Sequence, residues 1–305
     1  MNALKRLLKI RYARLPLAVC LFFLLFAAGA EIYAIACKHS GTVPVYQVQD
    51  ELLRNQPPCA QHWLGTDYLG RDVLIRALFA SRTAVKVGVI ASLISSVFGV
   101  LLGLLGGYFG GRTDRTVLWI YSTFASMPTL LFILAFALLV SKGFLYGPLE
   151  TAFRAFSACL NTEPGMMAVY MGIGLTGWVP LCRVVRAETM RQRQMQYVTA
   201  ARALGVGSCG IMLRHILPNL MHLVIVYFTM RFAFAVMTEV IVSYLGLGVQ
   251  FEPSWGLMIA NGQTLLWCGV WWELVTATGF MFVLVLALNM SGDALRDALD
   301  PRHVL

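Results

Sequence analysis

Two charged residues interrupt an otherwise apolar, uncharged run in the C-terminal half of the chain. Arg231 and Glu239 lie within the run from Ile216 to Leu247 and are eight residues apart. This spacing puts both side chains on one face of an α-helix. Charges at membrane depth are usually functional or paired inside a helix bundle. The pair therefore predicts either a polar wall along a translocation pathway or a structural polar contact, and both alternatives stay open.

Motifs for covalent or phosphoryl chemistry are absent from the sequence. There is no Gly-x-x-x-x-Gly-Lys-Ser/Thr phosphate loop, no nucleophile elbow and no HExxH pair. Seven cysteines occur, at positions 20, 37, 59, 159, 182, 209 and 268. They show no CxxC spacing and no nearby histidine cluster, so they do not indicate a metal site. We expect a chain that is not an enzyme and binds no cofactor or metal, with Cys37 and Cys59 either unpaired or joined in a disulfide.

The composition indicates which elements must position these residues. Of 305 residues, 58% are hydrophobic and 13% are charged, whereas a soluble protein is about one quarter charged. The apolar runs are long and lack the alternation of barrel strands. They predict an all-α integral membrane protein. The net charge of +9 sits in short segments between apolar runs, which argues against a nucleic-acid partner.

Six transmembrane helices are predicted from the uncharged runs, since a span needs about 20 apolar residues. They cover residues 15–36, 87–109, 116–141, 164–182, 216–247 and 274–292. Residues 253–272 are also uncharged, but their Pro, Gly and Trp content favours an interfacial or re-entrant segment. Pro128 and Pro180 predict bends in the third and fourth spans. An even number of spans puts both termini on one side.

The distribution of Lys and Arg predicts the orientation. With the N-terminus inside, the inside segments carry 15 basic residues and the outside segments carry 8, which favours cytoplasmic termini. The prediction thus comprises a cytoplasmic N-terminus (1–14), an extracytoplasmic loop (37–86) with an amphipathic helix near residues 71–82, a cytoplasmic loop (183–215) and a cytoplasmic tail (293–305).

Glycines recur every four residues in the second predicted span. They are Gly99, Gly103, Gly107 and Gly111. Such a stripe lets another helix backbone approach closely. It predicts tight packing within the chain or, alternatively, against a second subunit.

The cytoplasmic loop carries the most specific pattern. Its sequence from Gln196 to Gly205 is QYVTAARALG, and Arg214 to Asn219 is RHILPN. This resembles the EAA loop of ABC importer permeases, because Ala200, Ala201, Gly205, Leu217 and Pro218 fall at the matching spacing. Thr199 and His215 depart from the pattern, so their roles are not carried over. A short helix ending at Gly205 is expected.

Five further segments resemble the dipeptide, oligopeptide and nickel permease group, and most closely the C-type permease of peptide importers. They are 62–73 (HWLGTDYLGRDV), 106–111 (GGYFGG), 243–248 (SYLGLG), 254–256 (SWG) and 292–301 (GDALRDALDP). The resemblance implies the type I permease fold, with residues 83–292 as the permease domain.

The resemblance also implies function and partners. It implies a bacterial inner-membrane subunit that imports short peptides with a second homologous permease, two ATP-binding subunits that use ATP and Mg, and an extracytoplasmic binding protein. The residues assigned to the ATPase-coupling loop are Tyr197, Ala200, Ala201, Arg202, Gly205, Leu217 and Pro218. Two alternatives remain: a permease for nickel or a metal chelate, and an ion-coupled secondary transporter that uses Arg231 and Glu239.

Overall fold

The computed structural model describes residues 11–143, 147–246, 248 and 252–299. Their regular structure is helical, apart from one isolated β-bridge between Thr66 and Asp72. A π-helical turn, Ile211–Ile216, leads into the ninth helix. The helices are α1 (Arg14–Ser40), α2 (Val73–Phe109), α3 (Gly111–Ser126), α4 (Thr129–Ser141), α5 (Pro148–Cys159), α6 (Pro164–Thr176), α7 (Val179–Gln192), α8 (Gln196–Ala203), α9 (Leu217–Tyr244), α10 (Trp255–Leu265) and α11 (Trp272–Leu299).

Five helical stretches of the described chain are long and apolar enough to cross a membrane. They are α1, α2, α6 with α7, α9 with the turns before it, and α11. The third predicted span, 116–141, is instead the pair α3 and α4, which meet at an angle of 90°. Six spans result when this bent pair is counted as one. Helix α10 has 11 residues, about half the length that a span needs.

Pro128 causes the break between α3 and α4. Proline has no N–H to donate and restricts the residue before it to extended conformations. Met127 accordingly has φ −80° and ψ 134°, and α4 restarts at Thr129. Pro180 lies in the first turn of α7, where a helix needs no N–H from that residue. The bend predicted at Pro128 is therefore a full break.

Several helices extend beyond the apolar runs. Helix α2 begins at Val73, where the Asp72 carboxylate accepts a hydrogen bond from the Ile75 N–H at 2.9 Å. The segment predicted as an amphipathic helix in the 37–86 loop is largely the start of this helix. Helices α7 and α11 likewise continue into the predicted 183–215 loop and 293–305 tail. Residues 1–10, 247 and 300–305 of the predicted segments lie outside the described residues.

The glycine stripe of α2 packs against α7 of the same chain. A Cβ atom on Gly103 would lie 2.8 Å from the Val185 side chain, and one on Gly107 would lie 2.6 Å from Thr189. Gly99 similarly faces Leu181 and the Trp178 carbonyl. Gly111 does not continue the stripe, since it starts α3 with φ +55° and open space around it. The stripe is thus a contact within the chain.

Alanine at Gly103 should lower the thermal unfolding temperature of the detergent-solubilised protein. The added methyl overpacks the α2–α7 contact, which costs about 1–3 kcal/mol. Gly29 in α1 is the matched control, because nothing lies within 4 Å of a Cβ built there. Gly29→Ala should leave the midpoint unchanged or raise it, since alanine has the higher helix propensity. Equal shifts for the two variants would contradict this packing.

The cysteines Cys37 and Cys59 are not joined. Cys37 is buried near the end of α1 and Cys59 is exposed in the following loop, and both are free thiols.

The first and last described helices meet at one end of the bundle. There the Tyr12 hydroxyl donates to Asp297 at 2.6 Å, and Ala13 packs with Ala294 and Ala298.

Candidate coupling and translocation site

Helix α8 lies against the bundle with one face and leaves the other uncovered. Val198 and Ala201 are buried and pack with Ile211, Ile216 and other apolar residues of α2, α7 and α9. Tyr197, Ala200 and Arg202 are exposed. Ala200 and Ala201, both assigned to the ATPase-coupling loop, point in different directions because successive helical residues lie about 100° apart. Of these two alanines, Ala200 is exposed and Ala201 is buried.

A left-handed glycine ends α8. Gly205 has φ +81°, a conformation that costs other residues free energy. The Gly205 N–H donates to the Arg202 carbonyl at 3.0 Å, and the Val206 N–H donates to the Ala201 carbonyl at 3.1 Å, as in common helix C-caps. The turn leaves the Leu204 side chain 83% exposed. Sequence reasoning missed Leu204, although a leucine directly before a capping glycine could have indicated it.

Polar contacts fix α8 to its neighbours. The Tyr197 hydroxyl donates to Gln192 Oε1 of α7 at 2.7 Å and accepts from Asn219 Nδ2 of α9 at 3.2 Å. The Arg202 guanidinium lies 5.9 Å from the centre of the Tyr108 ring of α2. Leu217 and Pro218 form the first turn of α9. Leu217 packs against the apolar residues that surround Val198 and Ala201 of α8. The short helix is therefore tied to three longer ones.

An ion pair joins α3 to α7 at the same end of the bundle. Arg186 donates through Nε and Nη2 to the Asp114 carboxylate. Arg193 donates to the carbonyls of Gly107 and Tyr108 at the end of α2. Bidentate arginine–carboxylate pairs fix orientation as well as distance. Helices α2, α3 and α7 are thus held together beside α8.

Glu239 makes a structural contact with the start of α10. It is buried, and its Oε1 accepts hydrogen bonds from the hydroxyls of Ser243 at 2.6 Å and Ser254 at 2.9 Å. The Ser254 hydroxyl in turn accepts from the Gly256 N–H and caps α10. Of the two alternatives for Glu239, this geometry favours the polar contact within the bundle.

Arg231 has different surroundings from Glu239. Its guanidinium lies against Gly177, between α6 and α7, and 4.9 Å from the centre of the Phe234 ring. Among the described residues it makes no ion pair, and its Nε is buried without a hydrogen-bond partner. The structure therefore does not bring the two charged residues together.

The opposite end of the bundle holds a charge cluster that sequence reasoning missed. Arg82 donates to Glu31 at 2.5 Å and to Glu252 at 3.4 Å, and Lys86 lies 2.7 Å from Glu31. We refer to Glu31, Arg82, Lys86 and Glu252 as the outer charge cluster. The interruption of the first apolar run by Glu31 could have indicated that this carboxylate needs a partner.

A cavity of about 550 Å³ opens beside the outer charge cluster. Its lining includes Arg82 and Glu252 of the cluster together with Lys38, Arg154 and Glu163. Burial, and then the charge of Glu252, raise the pKa of Glu163. The cavity thus presents charged groups of both signs.

Comparison with known proteins identifies the class. Residues 99–304 match the family described as the binding-protein-dependent transport system inner membrane component. The chain is 33% identical over 250 residues to the dipeptide transport system permease protein DppC of Bacillus subtilis (strain 168), covering 82% of this chain and 71% of that protein. It is 35% identical over 243 residues to the oligopeptide transport system permease protein OppC of Escherichia coli (strain K12), covering 79% and 72%.

A third relative is the glutathione transport system permease protein GsiD of Pectobacterium atrosepticum, 31% identical over 249 residues, which cover 81% of this chain and 75% of that protein. The chain belongs to the family of inner membrane components of binding-protein-dependent transport systems. It is a membrane permease component and not an enzyme, and ATP hydrolysis in such systems lies in separate subunits.

Proposed function

We propose that this chain forms half of the translocation pathway of an ATP-driven importer for short peptides and couples that pathway to separate ATPase subunits. The observation that carries the proposal is α8, a short helix with a buried face fixed to α2, α7 and α9 and an exposed face that ends at Leu204. An exposed apolar side chain at a helix end suits a groove on another protein. The positive-inside distribution supports a cytoplasmic location for α8.

The family and the relatives support the remaining partners of the proposal. A second permease of the same fold completes the pathway, and an extracytoplasmic binding protein delivers cargo at the end that carries the charged cavity. ATP binding closes the two ATPase subunits and moves the coupling helices, and hydrolysis resets them. The names of the relatives refer to dipeptides, oligopeptides and glutathione, which favours peptide cargo over nickel or a metal chelate. Ion coupling through Arg231 and Glu239 is disfavoured, because the Glu239 carboxylate is occupied by the hydroxyls of Ser243 and Ser254.

Leu204→Glu tests the coupling proposal. The residue is 83% exposed, so a carboxylate there leaves the fold intact but must be desolvated in any apolar groove that receives α8. We expect the variant to lose binding-protein-stimulated ATP hydrolysis and to retain less ATPase subunit after purification of the assembled transporter. Peptide uptake into proteoliposomes should fall with the hydrolysis rate.

The control is the same substitution at Leu52, which is 90% exposed at the opposite end of the bundle. Leu52→Glu should retain the full amount of ATPase subunit. Normal ATPase retention and stimulated hydrolysis in Leu204→Glu would refute the assignment of α8 as the coupling helix.

A further inference from the structure

Arg231 is a charged residue for which no described residue supplies a countercharge; Glu273 also lacks a partner but lies in the first turn of its span. It lies midway along α9 (Leu217–Tyr244), the depth at which a charge is most costly in a membrane. Glu31 pairs with both Arg82 and Lys86, and Glu239 accepts hydrogen bonds from two serine hydroxyls. No described carboxylate lies within ion-pair distance of Arg231, and its Nε is buried without a partner.

The surroundings of the guanidinium hold it in one position. A Cβ atom on Gly177 would overlap the Arg231 guanidinium, so the side chain fills the space that this glycine leaves between α6 and α7. On its other side the Phe234 ring centre lies 4.9 Å away, within range of a cation–π contact. A cation held between a backbone and a ring loses little entropy when it binds an anion.

Arg231 borders the uncovered side of α9. Met230, Phe234 and Met237 are exposed there, in the chain without its partner subunit. The break between α3 and α4 also lies near Arg231. Phe124, at the end of α3, contacts Trp178, the residue after Gly177, with ring centres 5.6 Å apart. Transporters commonly bind substrate near the bilayer midplane beside discontinuous helices. The position of Arg231 matches that arrangement.

We propose that the Arg231 guanidinium binds a carboxylate of the cargo as it passes the middle of the membrane. This inference rests on the proposed function as a peptide importer. Guanidinium and carboxylate groups form bidentate, charge-assisted hydrogen bonds, and every free peptide carries a C-terminal carboxylate whatever its sequence. An acidic side chain offers the same group, so the shared chemistry is the carboxylate itself.

The test uses the complete transporter in proteoliposomes, with uptake of three peptides measured for wild type and Arg231→Met. The peptides are Ala-Ala-Ala, its C-terminal amide, and the amide of Ala-Glu-Ala. The uptake rate of the variant is divided by the wild-type rate for the same peptide. Differences in the affinity of the binding protein for the three peptides therefore cancel. We expect the variant to slow Ala-Ala-Ala about tenfold, as for the loss of one charge-assisted pair, and to leave uptake of its C-terminal amide, which has no carboxylate, unchanged.

The third peptide identifies the source of the carboxylate. Slowing of Ala-Glu-Ala amide as well extends the site to side-chain carboxylates, whereas slowing of Ala-Ala-Ala alone restricts it to the C-terminus. Arg231→Lys keeps a cation and should retain a preference for the acid over the amide. Equal slowing of all three peptides by Arg231→Met overturns the inference.

Two further measurements separate this proposal from its competitors. Arg231→Met should unfold at the same temperature as wild type or a higher one and copurify with the second permease, because no described residue forms an ion pair with Arg231 and methionine can fill the same space. Loss of the second permease would mean that the missing carboxylate belongs to that subunit, and would refute cargo binding. If wild type transports none of the three peptides, the proposed function fails, independently of Arg231.

Discussion

Arg82→Met should leave little folded protein in the membrane. Arg82 is 2% exposed and joins two carboxylates, at 2.5 Å from Glu31 and 3.4 Å from Glu252. The outer charge cluster contains two carboxylates, one guanidinium and one ammonium, so its formal charge is zero. Removing the guanidinium leaves one negative charge uncompensated on two partly buried carboxylates. Breaking a fully buried pair costs about 3–5 kcal/mol, which is the upper bound here. Fluorescence size-exclusion chromatography in mild detergent measures the folded fraction.

A second substitution distinguishes charge balance from loss of packing. Arg82→Met combined with Glu252→Gln returns the cluster to neutrality, and we expect part of the folded fraction to recover. Arg154→Met is the control, because its ion pair with Glu150 is exposed and such pairs contribute about 0–1 kcal/mol. If the double variant is no better than Arg82→Met, packing rather than charge explains the loss.

Trp255→Ala should unfold the protein at a markedly lower temperature than wild type. Trp255 is 1% exposed, packs edge-to-face on Phe23 of α1, and donates through its indole N–H to the Ala77 carbonyl of α2 at 2.9 Å. Truncation of a buried aromatic to alanine costs about 3–5 kcal/mol, and here it also removes a hydrogen bond between α10 and α2. The measurement is the thermal unfolding midpoint in detergent.

Trp267→Ala provides a matched control for this prediction. Trp267 lies in the turn after α10 and is 94% exposed, so its removal in detergent should change the midpoint little. Similar midpoints for the two variants would show that α10 is not anchored through Trp255.

The apolar runs predicted most of the bundle, because a lipid-facing helix must be apolar over nearly its whole length. The spacing of Ala200, Ala201 and Gly205 also predicted a short helix with a glycine at its end, and α8 has this form. Such features follow from local sequence. Residues close together in the chain suffice to specify them.

Features that depend on distant residues were not predictable in the same way. Arg76 and Arg82 suggested an aqueous loop, yet they are buried in α2 because Asp67 and Glu31, from other segments, pair with them. The inward face of Ala201 and the serine partners of Glu239 likewise depend on packing between helices. Hydropathy counts a charge without its partner and therefore predicts a helix that is too short, as at the start of α2.

The length of α2 has a mechanical consequence. Its 37 residues form a rod about 55 Å long, with Gly103 and Gly107 clamped to α7 near one end and Arg82 close to the other. Helix α2 packs tightly against α7, and α7 leads into α8. A displacement of α8 is therefore expected to tilt α2 as a rigid body. A tilt of about 5° about its midpoint moves each end by about 2 Å. Under the proposed coupling role of α8, we expect a displacement at α8 to reach the cavity beside Glu252 through α2.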